Sequence, residues 1–284
     1  MTFKTRFAPS PTGPLHLGHA YSAMLAYNMA RAAGGVFLLR IDDIDHSRAR
    51  QQWVDQIYVD LRWLGLDWPE PVYLQSNHHD RYLAGLERLR AMGVVYPCSC
   101  TRRDIQTAAT APQEGGTPAH GPDGLIYPGT CRITPLTSYD SAAVAYRLDM
   151  EKTLAALDEM PRFIETGSGS SIEHIVDPVR ALTGIGDIVL ARRDMGTSYH
   201  LSVVLDDAAQ QISHVVRGED LFEATYIHII LQALLRLPTP QYHHHRLIRD
   251  DSGKRLAKRD DARAISKYRD DGLSPQDIRD ILGV

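Results

Sequence analysis

The fold is decided by residues 8–19, Ala-Pro-Ser-Pro-Thr-Gly-Pro-Leu-His-Leu-Gly-His. This segment follows a strand-length stretch and opens a helical one, and Gly13 and Gly18 allow the backbone to approach a ligand closely. The start of a helix presents free N–H groups and a partial positive charge, which suits phosphate. His16 and His19 lie one turn apart, so both rings can face one phosphate chain and stabilise charge that develops on phosphorus. The spacing is equally compatible with a proline-rich turn that carries two surface histidines.

Strand-like and helix-like segments alternate around this loop, which indicates a wound α/β sheet with parallel strands. Predicted strands cover residues 5–8, 36–41 and 72–74, and predicted helices cover residues 18–33, 47–64 with Ser47 as the cap, and 80–92. Apolar runs return at residues 201–205 and 212–216, a helix is predicted at 224–235, and Ser274-Pro275 marks the start of a last helix.

The middle of the chain has a different composition. Residues 95–140 are rich in Gly, Pro, Thr and Cys, and read as an inserted, loop-rich module, with strands predicted at 144–149 and 185–191 and a short helix at 151–157. All three cysteines, Cys98, Cys100 and Cys131, fall in this stretch, which favours a metal site in a reducing compartment over disulfides. They offer three ligands for tetrahedral zinc, and His120 is the usual chemical choice for the fourth. Three reduced cysteines without metal are the alternative.

Composition and charge limit the class of protein. The chain has 284 residues, of which 43% are hydrophobic and 23% charged, as in an ordinary globular protein. No apolar run reaches the length of a membrane-spanning helix, and the N-terminus lacks the apolar region of a secretory signal. The net charge of −4 argues against a basic coat for nucleic acid, but leaves room for a local basic face. We expect a cytoplasmic monomer that does not associate with membranes.

A second basic segment, Gly-Lys-Arg-Leu-Ala-Lys-Arg at residues 253–259, lies near the C-terminus. A loop that carries a lysine can close over a triphosphate and neutralise charge in the transition state. A solvated basic patch is the alternative interpretation. His243, His244 and His245 are consecutive, and because side chains alternate along a strand we do not expect all three to bind one metal ion.

These segments together resemble the class I aminoacyl-tRNA synthetases. Residues 8–19 resemble the HIGH signature, and Arg6-Phe7-Ala8, residues 40–45 (Arg-Ile-Asp-Asp-Ile-Asp) and residues 216–220 (Val-Arg-Gly-Glu-Asp) resemble the glutamate-specific branch. Residues 255–259 resemble the KMSKS loop, with Arg255 and Ala257 in place of the usual Lys and Ser. The resemblance implies a Rossmann-like catalytic domain (residues 1–94 and 196–264), an inserted zinc-bearing, acceptor-binding-like module (95–195), a short helical tail (265–284) and no anticodon-binding domain.

The resemblance also implies which residues bind the substrates. It assigns catalysis to His16, His19 and Lys258, and binding of ATP with Mg²⁺ to Pro9, Gly18, His19, Lys254, Arg255 and Lys258. It assigns L-glutamate to Arg6, Ala8, Ser10, Asp42, Tyr199 and Arg217. Asp42 takes the place of the family's Glu and is one methylene shorter, so it meets the α-amino group directly or through a water. On spacing alone, Arg6 and Arg217 could instead form surface ion pairs with Asp43 or Glu219.

The pattern Cys-X-Cys…Tyr-X-X-X-Cys resembles the structural zinc site of the glutamyl-Q tRNA(Asp) synthetases. That resemblance implies Zn²⁺ on Cys98, Cys100, Tyr127 and Cys131, with His120 as the alternative fourth ligand. Ordinary glutamyl-tRNA synthetases continue far beyond the KMSKS loop, whereas this sequence ends at Val284. The short stretch after the loop also resembles the glutamyl-Q tRNA(Asp) synthetases.

The resemblance implies that the acceptor is the queuosine base in the anticodon of tRNA(Asp). We expect basic residues such as Arg102, Arg103, Arg192, Arg193 and those of residues 253–259 to hold the phosphates of the anticodon stem-loop. Three alternatives stay open: a truncated glutamyl-tRNA synthetase that charges tRNA 3′ ends, a small nucleotidyltransferase, and a non-catalytic RNA-binding paralogue.

Overall fold

The structure is a computed structural model, and it describes residues 2–109, 120–133, 143–193, 195–249 and 263–284. The strands are β1 Lys4–Phe7, β2 Val36–Ile41, β3 Tyr73–Leu74, β4 Val95–Cys98, β5 His120–Gly121, β6 Gly124–Leu125, β7 Ala145–Leu148, β8 Arg162–Glu165, β9 Ile172–Ile175, β10 Val189–Ala191, β11 His214–Gly218 and β12 Gln241–His245. The helices are α1 Leu17–Ala32, α2 Gln51–Trp63, α3 His79–Ala91, α4 Arg102–Ala109, α5 Thr130–Ile133, α6 Met150–Ala155, α7 Pro178–Arg180, α8 Tyr199–Ala209, α9 Ala224–Leu234, α10 Ile265–Asp270 and α11 Pro275–Leu282.

Parallel strands form the frame of the molecule. Strands β1, β2 and β3 are parallel neighbours, and β11 pairs in parallel with β12, which continues to β8. The two groups meet at Lys4 and Ser213, where the Ser213 N–H donates to the Lys4 carbonyl (3.0 Å) and the Lys4 N–H donates to Ser213 Oγ (2.8 Å). The carboxyl ends of β1, β2 and β11 therefore lie side by side, which is where wound α/β sheets place their ligands.

The middle of the chain adds an antiparallel sheet of order β10-β7-β4 and a small hairpin, β5-β6. Strands β8 and β9 also fall within residues 95–195, but they are joined to β12 of the parallel sheet. The boundaries given for the inserted module remain a prediction, and this part of the chain is tied to the parallel sheet by backbone hydrogen bonds.

Among the described residues, two large apolar cores support this frame. The larger one packs α3, α8 and α9 against the β10-β7-β4 sheet, and the other packs α1 and α2 on β1 and β2. The last two helices belong to the second core, since Ile265, Ile278 and Leu282 are buried in it. None of the described helices is both long enough and apolar enough to span a lipid bilayer.

Most predicted elements are found within a few residues of their expected bounds, but two expectations are wrong. Ser47 does not cap α2: its hydroxyl donates to Asp45 Oδ1 (2.6 Å), and the helix begins after Arg50. Residues 181–185 form a π-helical turn that ends at Gly186 with φ 68°, so the strand predicted from residue 185 begins only at Val189. The apolar run at 201–205 lies inside helix α8, which Ser198 caps by accepting from the Leu201 N–H.

Helix α11 allows a test of how much the tail contributes to stability. Ile278 is fully buried, whereas Ile281 on the same helix is 53% exposed. We expect Ile278→Ala to lower the free energy of unfolding by about 3 kcal/mol, because it leaves a cavity in the core, and Ile281→Ala to lower it by about 0.5 kcal/mol or less. Urea unfolding measures both values, and equal effects would contradict the docking of this helix.

Candidate active site

The loop before α1 fixes the two signature histidines. His16 caps the helix, and its Nδ1 accepts from the Gly18 N–H (3.1 Å), while His19 Nδ1 accepts from the His16 N–H (3.1 Å). The two rings lie against each other with centroids 3.8 Å apart. Since Nδ1 accepts in both rings, the proton of each neutral imidazole sits on Nε2. The loop therefore presents two ring N–H donors at the start of a helix.

The C-terminal part of the chain returns to this loop. Ala264 pairs with His16, and the Ile265 N–H donates to the Leu15 carbonyl (2.8 Å). Residues Lys254, Arg255, Ala257 and Lys258, on which the KMSKS-like assignment rests, lie outside the described residues.

The three consecutive histidines of β12 have different partners. His243 Nδ1 lies 3.0 Å from Thr166 Oγ1, His244 contacts Glu165, and His245 Nε2 lies 2.5 Å from Ser22 Oγ. This arrangement agrees with the expectation that they do not bind one metal ion together.

A buried cluster of two guanidinium groups and two carboxylates lies beside the loop. Arg6 holds Asp207 through Nε (3.0 Å to Oδ1) and Nη2 (3.2 Å to Oδ2). Arg40 donates to Asp207 Oδ1 (2.7 Å) and Asp42 Oδ1 (2.8 Å), and its Nη2 is buried with no partner among the described residues. Parallel pairing of β1 with β2 brings the two arginines together, and α8 supplies Asp207. We call Arg6, Arg40, Asp42 and Asp207 the buried charge cluster.

The two carboxylates of this cluster differ in pKa. Burial raises the pKa of Asp42 to about 6, although Arg40 opposes the effect. Burial also tends to raise the pKa of Asp207, but the charges of Arg6 and Arg40 together bring this pKa below the ordinary value. The Asp42 N–H donates to the Pro9 carbonyl (3.1 Å), so the more easily protonated carboxylate adjoins the loop that precedes α1.

Arg217 is held in a different way, by neutral groups. Its Nε donates to His244 Nε2 (3.1 Å), its Nη1 to His228 Nδ1 (3.1 Å), and its Nη2 to the Leu221 carbonyl (3.2 Å) and Thr225 Oγ1 (2.7 Å). These contacts use four of the five N–H groups of a guanidinium. Within the described part of the chain no carboxylate lies within ion-pair distance of Arg217, which is only 5% exposed. Its positive charge is therefore buried and not directly neutralised.

The alternative that Arg6 and Arg217 form surface ion pairs is wrong. Arg6 pairs with buried Asp207, and Asp43 instead accepts hydrogen bonds from the Ser76 N–H and hydroxyl. Arg217 has no ion pair with Glu219 among the contacts of the described residues.

Tyr199 lies beside the histidine that contacts Arg217. It is the first residue of α8 and is 37% exposed, with ring centroids 5.4 Å from His200 and 5.7 Å from His228. Burial lowers the pKa of His228 well below its ordinary value, and the charges of Arg217 and Arg6 lower it further. Tyr199 and Arg217 therefore both contact His228, and Arg6 lies close enough to act on its charge. Ala8 is half-buried and Ser10 exposed at the edge of the same loop.

Sequence reasoning missed the groups that hold the predicted site residues, namely Asp207, His228, His244 and Glu165. Adjacent acidic residues, Asp206 and Asp207, at the end of an otherwise apolar run are the one sequence signal that marks a buried charge here. The histidines carry no such signal, because their partners lie on other strands and helices.

The cysteine cluster forms a compact group on β4 and α5. The three sulfurs lie within 4.8 Å of one another, with Cys100 Sγ 3.5 Å from Cys131 Sγ. The Tyr127 hydroxyl is 3.4 Å from Cys98 Sγ and 3.3 Å from Cys100 Sγ. In a tetrahedral site with Zn–S bonds of about 2.3 Å, neighbouring sulfurs are about 3.8 Å apart, so the four groups fit a zinc ion. His120 is exposed on β5 and is not part of this group.

A basic cavity of about 840 Å³ adjoins the cysteine cluster. Its lining includes Arg102, Arg192 and Arg193, together with the turn residue Asp123 and the buried Arg147. Arg103, which the sequence predicts to hold phosphates together with Arg102, Arg192 and Arg193, is exposed and lies outside this lining.

Comparison with known proteins gives consistent relatives over the whole chain. Residues 2–283 match the family model of the class I (E and Q) tRNA synthetase catalytic domain. A glutamyl-Q tRNA(Asp) synthetase from Rhodobacter capsulatus is 58% identical over 284 residues, which cover 99% of this chain and 99% of that protein. Another from Nocardia farcinica is 41% identical over 279 residues, which cover 98% of this chain and 82% of that protein.

Solved structures show a similar fold. A glutamate tRNA ligase from Elizabethkingia meningosepticum has a TM-score of 0.74 at 23% identity, and the match covers 99% of this chain and 60% of that one. A glutamate-tRNA synthetase from Elizabethkingia anophelis has a TM-score of 0.76 at 22% identity, with 99% and 61% coverage. The chain thus spans about 60% of the length of these two proteins, and the likeness concerns the fold alone.

The buried charge cluster predicts a large effect of losing its central carboxylate. Asp207→Ala leaves Arg6 and Arg40 buried without their shared partner, so we expect the free energy of unfolding to fall by about 3–5 kcal/mol. The control is Glu87→Ala, which removes an exposed ion pair with Arg90 (2.7 Å) and should cost less than about 1 kcal/mol. Equal midpoints in urea unfolding would contradict the central role of Asp207.

Proposed function

Because the chain belongs to the class I (E and Q) tRNA synthetases, and within them to the glutamyl-Q tRNA(Asp) synthetases, we propose that it activates L-glutamate with ATP and transfers the glutamyl group to the queuosine base of tRNA(Asp). The observation in the structure that carries this proposal is the buried guanidinium of Arg217, which contacts no carboxylate of the described residues and lies in the same region as Arg6 and Tyr199. A pocket that holds an unneutralised positive charge favours an anionic amino acid over its amide.

Glutamate binding uses the groups that the described contacts leave available. Arg217 offers the remaining N–H of Nη1 to one substrate carboxylate, and Arg6 offers Nη1, for which no hydrogen bond is found among the described residues. Asp42 attracts the α-ammonium, since its carboxylate is ionised above a pKa of about 6. As the sequence resemblance implies, Tyr199 and Ser10 also contact the substrate, from the exposed side of the pocket.

Activation joins the α-carboxylate of glutamate to the α-phosphorus of ATP. An oxygen of the carboxylate attacks phosphorus, the bond to the bridging oxygen breaks, and pyrophosphate leaves as glutamyl-adenylate forms. The Nε2–H groups of His16 and His19 donate to the phosphate oxygens as charge develops on them. Mg²⁺ that arrives with ATP neutralises part of the phosphate charge. We assign the remaining stabilisation of the transition-state charge to Lys258, as the sequence predicts.

Transfer moves the glutamyl group from the adenylate to a hydroxyl of the acceptor, with AMP as the leaving group. The basic cavity lined by Arg102, Arg192 and Arg193 is of the right charge to hold phosphates of an RNA hairpin next to the catalytic frame. We therefore place the anticodon stem-loop across residues 95–195, which we propose as the acceptor-binding module.

The zinc site has a structural role in this proposal. A zinc ion would join β4 to α5 at the edge of the cavity through Cys98, Cys100, Tyr127 and Cys131. This segment has few apolar contacts of its own. A metal ion bound by these four groups stabilises a small loop-rich segment that lacks a large core.

The proposal is tested by following labelled glutamate. Glutamate-dependent ATP–pyrophosphate exchange is measured first, followed by transfer of labelled glutamate to tRNA(Asp) with queuosine, tRNA(Asp) without it, and tRNA(Glu). We expect exchange and label on the queuosine-containing tRNA(Asp) alone. Label on tRNA(Glu) would instead make the chain a short synthetase that charges 3′ ends, and absence of exchange under every condition would overturn the enzymatic proposal.

Metal analysis tests the zinc site and its fourth ligand. We expect about one zinc per chain by plasma mass spectrometry, and faster loss of zinc to a chelator in Tyr127→Phe because one of four ligands is missing. His120→Ala is the matched control and should keep zinc as the wild type does. Loss in His120→Ala with retention in Tyr127→Phe would assign the fourth ligand to His120.

The pKa of Asp42 predicts a pH dependence of glutamate binding. The ammonium group favours the ionised carboxylate, so affinity is full above the pKa of about 6 and falls as the pH drops through it. Between pH 7.5 and pH 5 we expect the KM for glutamate to rise about tenfold at saturating ATP. Asp42→Asn should have a high KM without this step, and a flat wild-type profile would contradict the role of Asp42.

A further inference from the structure

A chain of polar side chains runs from Arg217 to the β5-β6 hairpin. Arg217 Nη1 lies 3.1 Å from His228 Nδ1, the Nε2 atom of His228 lies 3.1 Å from His200 Nδ1, and His200 Nε2 lies 3.4 Å from Asp123 Oδ1. His228 and His200 are 2% and 6% exposed. Asp123 lies in the turn of the hairpin, far from the others in sequence, and borders the basic cavity.

The first donor in this chain sets the direction of every hydrogen bond. A guanidinium has only N–H groups, so His228 must accept at Nδ1 and carry its proton on Nε2. His200 must then accept at Nδ1 and carry its proton on Nε2, which faces the carboxylate of Asp123. Both rings are neutral in this arrangement. Burial and the charge of Arg217 lower the pKa of His228, in agreement with the geometry.

A second, shorter chain of hydrogen bonds holds the other side of the Arg217 guanidinium. Its Nε donates to His244 Nε2, and His244 Nδ1 lies 2.5 Å from Glu165 Oε2. Despite burial, hydrogen bonds from His244 and Gly167 lower the pKa of Glu165 to about 2. Arg217 thus lies between two imidazoles, each of which leads to a carboxylate, and neither carboxylate touches the guanidinium.

The two histidines of the longer chain also contact Tyr199, whose ring packs edge-on against both. We propose that Asp123, His200 and His228 are positioning residues for L-glutamate, because they fix the orientation of Arg217 and Tyr199, and that the β5-β6 hairpin thereby completes the amino-acid site. The inference rests on the proposed function for its kinetic test, but not for its spectroscopic test.

Asp123 is the best position at which to interrupt this chain of hydrogen bonds. Its side chain is 33% exposed, so its loss is tolerated by the fold more easily than a change at His228 or His200. Asp123→Ala removes the acceptor for His200, whereas Asp123→Asn keeps an oxygen that can accept the same hydrogen bond. Asp177→Asn is the matched control: Asp177 caps α7, and asparagine serves equally well as a helix cap.

The kinetic test uses glutamate-dependent ATP–pyrophosphate exchange by the full chain. In Asp123→Ala we expect the KM for glutamate to rise about fivefold or more, as for a weakened hydrogen bond to a charged group. The KM for ATP and kcat should change less than about twofold, because ground-state binding of glutamate alone is affected. Asp123→Asn and Asp177→Asn should stay close to the wild type. An unchanged KM for glutamate in Asp123→Ala, or equal changes for glutamate and ATP, would overturn the inference.

The spectroscopic test reads the protonation of the rings directly. Two-bond ¹H–¹⁵N correlation spectra of the protein near pH 7.5, assigned with His200→Gln and His228→Gln, should show both rings as the neutral Nε2–H form. In Asp123→Ala, His200 should lose this single form while the spectrum of Asp177→Asn stays unchanged. A charged or Nδ1–H ring at His228 in the wild type would overturn the inference even if exchange is observed. If the wild type shows no exchange but has the expected ring forms, the proposed function fails and the chain of hydrogen bonds stands.

Discussion

Asp207 is the carboxylate on which the rest of the site depends. It sits between Arg6 of β1 and Arg40 of β2, with Asp42 on the far side of Arg40. Two buried guanidinium groups could not lie so close without a shared counter-ion. The pairing joins the two parallel strands to α8, and it positions Asp42 against the loop that precedes α1. The placement of Arg6, Arg40 and Asp42 beside the loop therefore depends on one buried acid.

The buried charges of the two arginines assigned to glutamate, Arg6 and Arg217, are balanced in different ways. Arg6 is paired directly with Asp207, so its charge is largely balanced inside the protein. Arg217 is surrounded by two imidazoles, a hydroxyl and a carbonyl, and its nearest carboxylates lie behind histidines. A guanidinium in this setting gains most from an anionic ligand. In the proposed glutamate site, the preference for a carboxylate side chain would come from the neutral neighbours of Arg217, whereas the ion pair of Arg6 with Asp207 also holds β1 to α8.

The alternation of strands and helices was sufficient for the α/β class, because it is a local pattern. The class I catalytic fold came from the resemblance of residues 8–19 and the other segments to the synthetase signatures. The resemblance of the Cys-X-Cys…Tyr-X-X-X-Cys pattern to the family's zinc site singled out Tyr127, whereas metal chemistry alone favoured His120, and the structure brings the Tyr127 hydroxyl to the cysteines. The sequence could not reveal Asp207, His228 or His244 as partners of the predicted arginines, since those contacts join strands and helices distant in sequence. Ser47 shows the converse error, where a good helix cap bonds Asp45 instead and the helix starts later.

The central claim is that Arg217 presents an unneutralised charge to an anionic side chain. Equilibrium binding of L-glutamate and L-glutamine to the chain, measured by calorimetry at pH 7.5 without ATP, tests it most directly. The account predicts that glutamate binds at least about tenfold more tightly, as expected when a charge-assisted hydrogen bond is made by one ligand and not the other. Equal affinity for the two amino acids would contradict it.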